Sequence, residues 1–249
     1  VTIRVNTLKI NKQELIERLK EKNTECKETA EKLDDFLILE KVKNIENVEE
    51  FKQGYFTIQD ISAGQTAKIL NPQPGELVLD ACSAPGGKTT YMAELMKNKG
   101  KIEAWDIHEH RTKLVEQNAQ RLGINIIETK VKDASLYDES LKEKFDKILL
   151  DVPCLGIGVI KRKPDIKWKR KPEDVKNITE IQKKILDNCS KYLKKNGVMV
   201  YSTCSIFKEE NHDIVQKFLE KNSSYECKEL EIEPTEKQDG FYIAKMQKK

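Results

Sequence analysis

Leu77-Val78-Leu79-Asp80-Ala81-Cys82-Ser83-Ala84-Pro85-Gly86-Gly87-Lys88-Thr89 is the stretch that decides the fold. A short apolar run ends in an acid, and a Pro-Gly-Gly turn follows at once. The run reads as a strand over 77–81 and the residues after the turn as a helix over 87–98. Glycines let backbone approach a ligand closely, and a helix N-terminus offers unpaired N–H groups to a carboxylate or phosphate. Taken alone, the same stretch could equally be a tight strand-to-helix turn with no ligand. It is not G-x-G-x-x-G, which argues against a nicotinamide or flavin site. Nor is it G-x-x-x-x-G-K-[ST], which argues against a P-loop.

Working outward, the pattern repeats. Residues 101–106 read as a strand and 109–122 as a helix. Third and fourth strands fall at 126–131 and 145–151. A long helix over 173–195 carries Val175, Ile178, Ile181, Ile185 and Leu186 at three-to-four spacing. A fifth strand at 198–201, a helix at 209–220 and strands around 227–232 and 240–246 complete the chain. Strands alternating with helices predict right-handed β-α-β units, a parallel sheet covered on both faces, and hence an α/β, Rossmann-like fold. Before it, a strand signal at 2–6, apolar runs at 36–40 and 54–58 and helix signals at 12–22 (Leu15, Ile16, Leu19) and 63–70 suggest a small α+β piece. Asn71-Pro72-Gln73-Pro74-Gly75 breaks both periodicities. The expected division is a small N-terminal domain over 1–71 and a catalytic domain over 72–249. Ligands of such sheets bind at the carboxyl ends of the strands. Asp80, Asp106, Asp151 and Thr203–Ser205 all fall there, so distant segments are expected to converge on one crevice.

A chain of 249 residues suits one large α/β domain with a small appendage. Hydrophobic residues make up 38% and charged residues 35%, enough for a core under a polar surface. The apolar runs are too short to span a membrane, and the segment from Val1, which is not Met, has neither the basic nor the apolar region of a signal peptide. Six cysteines without a C-x-x-C pair, beside only three histidines, weigh against zinc. A reduced, cytoplasmic setting is expected, with no metal and no membrane partner. The net charge is +3, but seven basic residues (Lys161, Arg162, Lys163, Lys167, Lys169, Arg170, Lys171) crowd one stretch with Trp168 and a single acid, Asp165. That pattern suits a phosphate backbone and a stackable base. A solvated loop in a Lys-rich protein is the plainer alternative.

Asp106 ends the second strand, where an acid can accept from both ribose hydroxyls of a nucleoside. Asp133 follows the third strand, where it could meet an adenine amino group. As a lone acid it would be a helix cap or a surface residue. Two thiols also sit at strand ends, in Asp151-Val152-Pro153-Cys154 and Ser202-Thr203-Cys204-Ser205. A thiolate adding to C6 of a cytosine makes C5 nucleophilic enough to attack an electrophilic methyl group, which splits one hard step into easier ones. Asp151 would supply the acid near N3 and N4. Cys26, Cys189 and Cys227 read as small buried hydrophobes, and Cys82 as a residue that packs beside or lines the cofactor pocket. Residue chemistry alone favours neither Cys154 nor Cys204 as the nucleophile.

Together, Asp80 to Thr89, Asp-Val-Pro-Cys, Arg162-Lys163-Pro164-Asp165-Ile166-Lys167-Trp168, Ser-Thr-Cys-Ser and the opening Thr2-Ile3-Arg4-Val5-Asn6-Thr7 resemble the RNA 5-methylcytosine methyltransferases, most nearly the bacterial small-subunit ribosomal RNA type. The resemblance covers nearly the whole chain. It implies a methyltransferase sheet and S-adenosyl-L-methionine as cofactor, held by Cys82, Ser83, Ala84, Pro85, Gly86, Gly87, Lys88, Asp106, Asp133 and Asp151. It implies Cys204 as nucleophile, with Cys154 helping to release product. RNA, expected to be ribosomal, would be bound by Lys161, Arg162, Lys163, Lys167 and Trp168 together with the N-terminal domain, and the enzyme is expected to be a monomer. Val152 and Leu155 depart from the usual Ala and Ser, beside the chemistry rather than in it. The resemblance leads to the expectation that the N-terminal helical RNA-binding domain usual in the bacterial enzymes is lacking.

Three other readings compete. One is a catalytically inactive RNA-binding assembly factor, against which both cysteines and all four acids are intact. Another is methylation of a different RNA such as tRNA. The third is an exocyclic-amine methyltransferase, which would carry a Pro-Pro-aromatic where this chain has Val-Pro-Cys.

Overall fold

The computed structural model describes all residues except 30–33, 43, 163, 170 and 236–238, and does not describe the side chains of residues 167, 169 and 172. Its frame is a seven-stranded sheet. The central strand β5 (Leu77–Asp80) is the apolar run quoted above, and α4 (Gly87–Leu95) follows it. On one side lie β6 (Lys101–Asp106) and β7 (Ile127–Val131), joined through α5 (Glu109–Leu122). On the other lie β8 (Phe145–Asp151) and β9 (Leu193–Thr203), joined through the short α6 (Ile166–Lys169) and the long α7 (Pro172–Tyr192). After α8 (His212–Lys221) come β10 (Tyr225–Ile232) and β11 (Phe241–Lys248). The strand order is β10-β11-β9-β8-β5-β6-β7, the expected Rossmann-like arrangement. The chain runs outward from β5 to β7 and then returns to β8 on the other side of β5. Loops leaving β5 and β8 therefore diverge and open a crevice at that reversal.

The expectation of an all-parallel sheet fails at one edge. β11 pairs antiparallel with both β9 and β10. Residues 233–240 between β10 and β11 are too few for a parallel crossover, which takes about a dozen or more. Two helices also stop earlier than their apolar periodicity suggests. α4 ends at Leu95 because Lys97 and Asn98 take left-handed conformations. α7 ends at Tyr192, and the strand that follows passes through a left-handed Asn196.

Side chains alternate across the sheet as the strand period requires. Leu79 joins Trp105, Phe145, Leu186 and Tyr192 in the cluster beneath one face. Its neighbour Val78 joins Met92, Ala93, Leu122 and Leu149 beneath the other. A four-stranded sheet precedes this frame, ordered β2 (Cys26–Glu28), β3 (Phe36–Leu39), β1 (Thr2–Val5), β4 (Phe56–Ile58). Helix α1 (Lys12–Glu21) packs Leu15 and Leu19 with Ile3, Val5 and Phe56, and a single turn, α2 (Glu49–Lys52), leads to β4.

Helix α3 (Ile61–Leu70) precedes the Asn71–Gly75 break in sequence, yet Ile61, Ala67 and Leu70 share the cluster of Val78 and Met92. The packing therefore crosses the sequence break. Gly64 allows this approach, since a Cβ there would stand 2.3 Å from the Phe36 ring. Two buried polar residues of the N-terminal segment reach further. Asn6 donates to Gly54 O and to Leu122 O at 2.8 and 2.9 Å. Arg4, read from sequence as part of an ordinary strand, is fully buried and grips Glu94 on α4 through two hydrogen bonds.

Candidate active site at the carboxyl ends of the strands

The loop after β5 is pinned from beneath by backbone and by α5. Ser83 donates to Trp105 O through its amide and its hydroxyl, at 2.8 and 2.9 Å. Ala84 O accepts from Arg111 and Pro85 O from Asn118. Gly86 has a φ of +103°, and a Cβ on it would lie 3.1 Å from Val115 Cα. A glycine is needed there on both counts. Asp80 is buried and accepts from the Thr89 hydroxyl at 2.7 Å. Burial pushes its carboxyl up to about 7. Burial also pushes the Cys82 thiol well above its ordinary value, so it stays neutral.

Lys88, one residue into α4, reaches across the crevice to Asp151 at the end of β8, with Nζ 2.7 Å from Oδ2. The other carboxylate oxygen of Asp151 accepts from Ser202 of β9 at 2.9 Å. Burial alone would lower the Lys88 ammonium, but the adjacent Asp151 carboxylate outweighs it, and the net displacement is upward. A protonated lysine is thus fixed to a carboxylate at the meeting of β5 and β8.

The two strand-end thiols meet beside this pair. Cys154 Sγ and Cys204 Sγ are 3.2 Å apart. The hydrogen bond from Cys154 holds the Cys204 thiol below its ordinary value, helped by the Lys88 ammonium and against burial. The same contact, together with burial and the Glu210 carboxylate, drives Cys154 the other way. Cys204 is therefore the more acidic thiol of the pair and Cys154 the less acidic.

A residue that sequence reading passed over sets this spacing. Glu210 lies just before α8 and is fully buried. One oxygen accepts from Leu155 N and from Gln182 Nε2, each at 3.0 Å, and the other accepts from the Ser205 hydroxyl. Gln182 also donates to Pro153 O at 2.9 Å. Gly158 N donates to Cys204 O, tying the Cys154 loop to the Cys204 loop a second time. The one available signal was position, since Glu210 follows Cys204 by a single turn-length of chain.

A cavity of about 490 Å³ opens at the Lys88–Asp151 pair, lined by Asp80, Cys82, Ser83, Ala84, Pro85, Gly87, Lys88 and Asp151. Gln59, Asp60, Arg162 and Asp239 also line it. Asp106 stands at the end of β6, paired with Arg111 at 3.0 Å and accepting from His108 N, outside this lining. Asp133, after β7, is exposed and caps Ser135 N at 2.8 Å, which is the plainer of its two expected roles.

Of the basic stretch, Arg162 forms ion pairs with Asp60 and Asp239 at the cavity mouth. Lys161 is exposed, and Trp168 on α6 is 82% exposed. Lys163 and the side chain of Lys167 lie outside the described residues. Cys189 is buried as expected, whereas Cys26 and Cys227 are only partly so. Among the described residues no cluster of His, Cys, Asp and Glu could hold a metal ion, and no helix is long and apolar enough to cross a membrane.

The family described as 16S rRNA methyltransferase RsmB/F matches residues 67–247. A probable ribosomal RNA small subunit methyltransferase B of Bacillus subtilis is 38% identical, over 100% of this chain and 60% of its own length. Ribosomal RNA small subunit methyltransferase B of Yersinia enterocolitica is also 38% identical, over 99% of this chain and 59% of its own. A solved methyltransferase homologue from Pyrococcus horikoshii superposes with a TM-score of 0.86 at 33% identity, covering 100% of this chain and 86% of that one. The chain thus spans about 60% of the length of these curated relatives.

Proposed function

The chain belongs to the 16S rRNA methyltransferase RsmB/F family, and from that premise we propose that it methylates C5 of a cytosine in RNA, using S-adenosyl-L-methionine and a covalent bond from Cys204 to C6 of the base. The substrate we propose is small-subunit ribosomal RNA, contacted by residues 1–71 and by the 161–168 stretch. The cofactor fits the chain's own residues. The cavity is flanked by the glycine loop and lined by Asp80, Lys88 and Asp151, a set that suits a small ligand carrying both a positive and a negative group. When bound, S-adenosyl-L-methionine supplies an electrophilic methyl group. Asp106 and Asp133 would hold its adenosine.

The residues divide the work as follows. Cys204, the thiol whose ionisation is eased, adds to C6 as its thiolate. Electron density then moves through the ring towards N3 and C5. Lys88 and Asp151, 2.7 Å apart, stabilise the N3 side, the ammonium as the source of the proton and the carboxylate as acceptor for the N4 amino group. C5 takes the methyl group. The C5 proton then passes to solvent water and the N3 proton returns to Lys88, which re-forms the C5–C6 double bond and expels Cys204 as a thiolate. Cys154, 3.2 Å from that sulfur, donates a hydrogen bond to it as it leaves. The base must leave its stack to enter the crevice, so the target cytosine lies in a loop or a melted helix.

The observation that carries this reading is the meeting of the two strand-end thiols, 3.2 Å apart, beside the Lys88–Asp151 pair. The test is a denaturing gel of the wild type, Cys154→Ala and Cys204→Ala after incubation with labelled small-subunit ribosomal RNA and S-adenosyl-L-methionine. Cys154→Ala should accumulate a covalent RNA band, and Cys204→Ala should show neither band nor methyl transfer. A band in Cys204→Ala instead would exchange the two roles.

A further inference from the structure

Arg162 belongs by sequence to the basic stretch, yet its guanidinium is committed to protein. Nη2 donates to Oδ2 of Asp60 at the start of α3, and Nε stands 3.0 Å from Oδ1 of Asp239, two residues before β11. Both acids are buried, whereas the arginine is exposed. Burial and the neighbouring Asp60 raise the Asp239 carboxyl in spite of Arg162. The two acids are also tied to each other through Ser62, whose amide donates to Asp60 Oδ1 at 2.9 Å and whose hydroxyl donates to Asp239 O at 3.0 Å. Four residues before Arg162 the same loop is held again. Gly240 N donates to Gly158 O at 3.0 Å, and Gly158 N donates to Cys204 O at 2.9 Å. A Cβ on Gly158 would collide with Gly240 O and stand 2.9 Å from Cys204 O, so these backbones meet with no side chain between them. A continuous run of polar contacts thus leads from Asp60, through Asp239 and Gly158, to the Cys204 loop.

We propose that Arg162 is a positioning residue: bonded to Asp60 and Asp239, it fixes the far end of the loop that starts at Asp151 and Cys154, and so keeps Cys154 against Cys204. The near end of that loop is held by Glu210 on Leu155 N and by Gln182 on Pro153 O. With both ends fixed, the sulfur contact of 3.2 Å is set by the frame rather than by the thiols themselves. The rival role for Arg162 is a contact to an RNA phosphate. That role would strip two buried acids of this cation, and an uncompensated buried charge costs more than an exposed ion pair returns. RNA contact then falls to neighbours in the stretch, Lys161 among them. The catalytic consequence rests on the cytosine-5 reading above, whereas the positioning itself does not.

The test alkylates the whole chain with iodoacetamide across a pH series, without RNA or methyl donor, and follows Cys204 by peptide mass spectrometry. Arg162→Met removes the charge and keeps the length, and Asp239→Asn keeps the shape of the acid. In each, the pH midpoint for Cys204 should rise by roughly half to one unit as the hydrogen bond from Cys154 loosens, the effect of one bond of ordinary strength. Arg162→Lys should recover part of that shift. Lys88 and Asp151, the charges that also face Cys204, are the same in every variant. Where Arg162→Met makes buried Cys189 reactive and so reports unfolding, Asp239→Asn decides. An unchanged midpoint overturns the proposal. In methyl transfer, kcat should fall roughly 10- to 100-fold, the cost of a small misplacement, with KM for RNA and its salt dependence unchanged. A raised KM with a salt slope smaller by about one would make Arg162 a phosphate contact and overturn the proposal as well. A shifted midpoint beside a wild type that methylates no cytosine would uphold the positioning and sink the cytosine-5 reading.

Discussion

Replacing Arg4 with Met tests whether a buried ion pair holds the N-terminal sheet to the cofactor helix. Arg4 is fully buried, and it donates to both carboxylate oxygens of Glu94, to Gln59, to Gly87 O and to Thr90. Its guanidinium also covers the Tyr91 ring, 4.5 Å from the centroid. Breaking a buried pair by removing one partner costs about 3–5 kcal/mol, because the other charge is left uncompensated. Burial already pushes the Glu94 carboxyl up to about 7 in the presence of Arg4, and without Arg4 it rises further. A folded-state value raised above the unfolded one (about 4.3) means that the folded chain holds a proton the unfolded chain has lost. Stability is then greatest below the unfolded value and falls as pH rises through the folded one. The Arg4→Met cost should accordingly be about 3–5 kcal/mol at pH 8 and smaller by about 1–3 kcal/mol at pH 5.5, where Glu94 is protonated. Urea unfolding followed by the fluorescence of buried Trp105 measures both. Arg4→Met with Glu94→Leu should recover part of the loss at pH 8. Equal costs at the two pH values, or a double variant no more stable than the single one, would refute the reasoning.

At pH 7.5 a limiting dose of iodoacetamide should modify Cys204 before Cys154 and leave Cys189 untouched, because one thiol is lowered and the other two are raised; peptide mass spectrometry reads the order. Gly86→Ala should destabilise the fold by about 1–2 kcal/mol from the left-handed backbone alone, with the Val115 contact adding to it, and a thermal melt checks this. Glu210→Ala strands Leu155 N, Gln182 and Ser205. It should slow methyl transfer at least about 10-fold, the size of one lost charge-assisted hydrogen bond, while calorimetry shows S-adenosylhomocysteine affinity unchanged.

Much of the frame was legible because it is written locally. An apolar run closing on an acid marks the end of β5, of β6 and of β8, and all three acids stand at strand ends. The antiparallel β11 was not legible from its own residues, because a buried strand has the same period whichever way it runs. Only the short connection 233–240 carried that information. The packing of α3 under the large sheet was hidden in the same way, since Asn71–Gly75 punctuates the sequence without separating the cores. Arg4, Gln59 and Glu210 escaped for a different reason. Arg4 and Glu94 are 90 positions apart, and Glu210 and Leu155 are 55 apart. A polar residue buried by a partner that distant leaves no mark in its own neighbourhood. Asp133, whose place in the series of strand-end acids suggests a ligand contact, also caps Ser135 N.

The choice between the two thiols shows where composition stops and geometry begins. Asp-Val-Pro-Cys and Thr-Cys-Ser each put a thiol just past a strand end, and nothing in either phrase makes it acidic. The difference comes first from the contact between the sulfurs, since a donor to one thiolate cannot readily become a second. Two charges that neither phrase contains add to it: Lys88 arrives from the helix after β5 and favours the thiolate of Cys204, whereas Glu210 arrives from the approach to α8 and disfavours that of Cys154. The same arrangement serves both halves of the proposed reaction. While Cys204 is free, Cys154 and Lys88 hold it ready to attack. Once Cys204 is bonded to C6, its charge is gone, and the hydrogen bond from Cys154 stabilises only the state in which that charge returns, which is the departure of product.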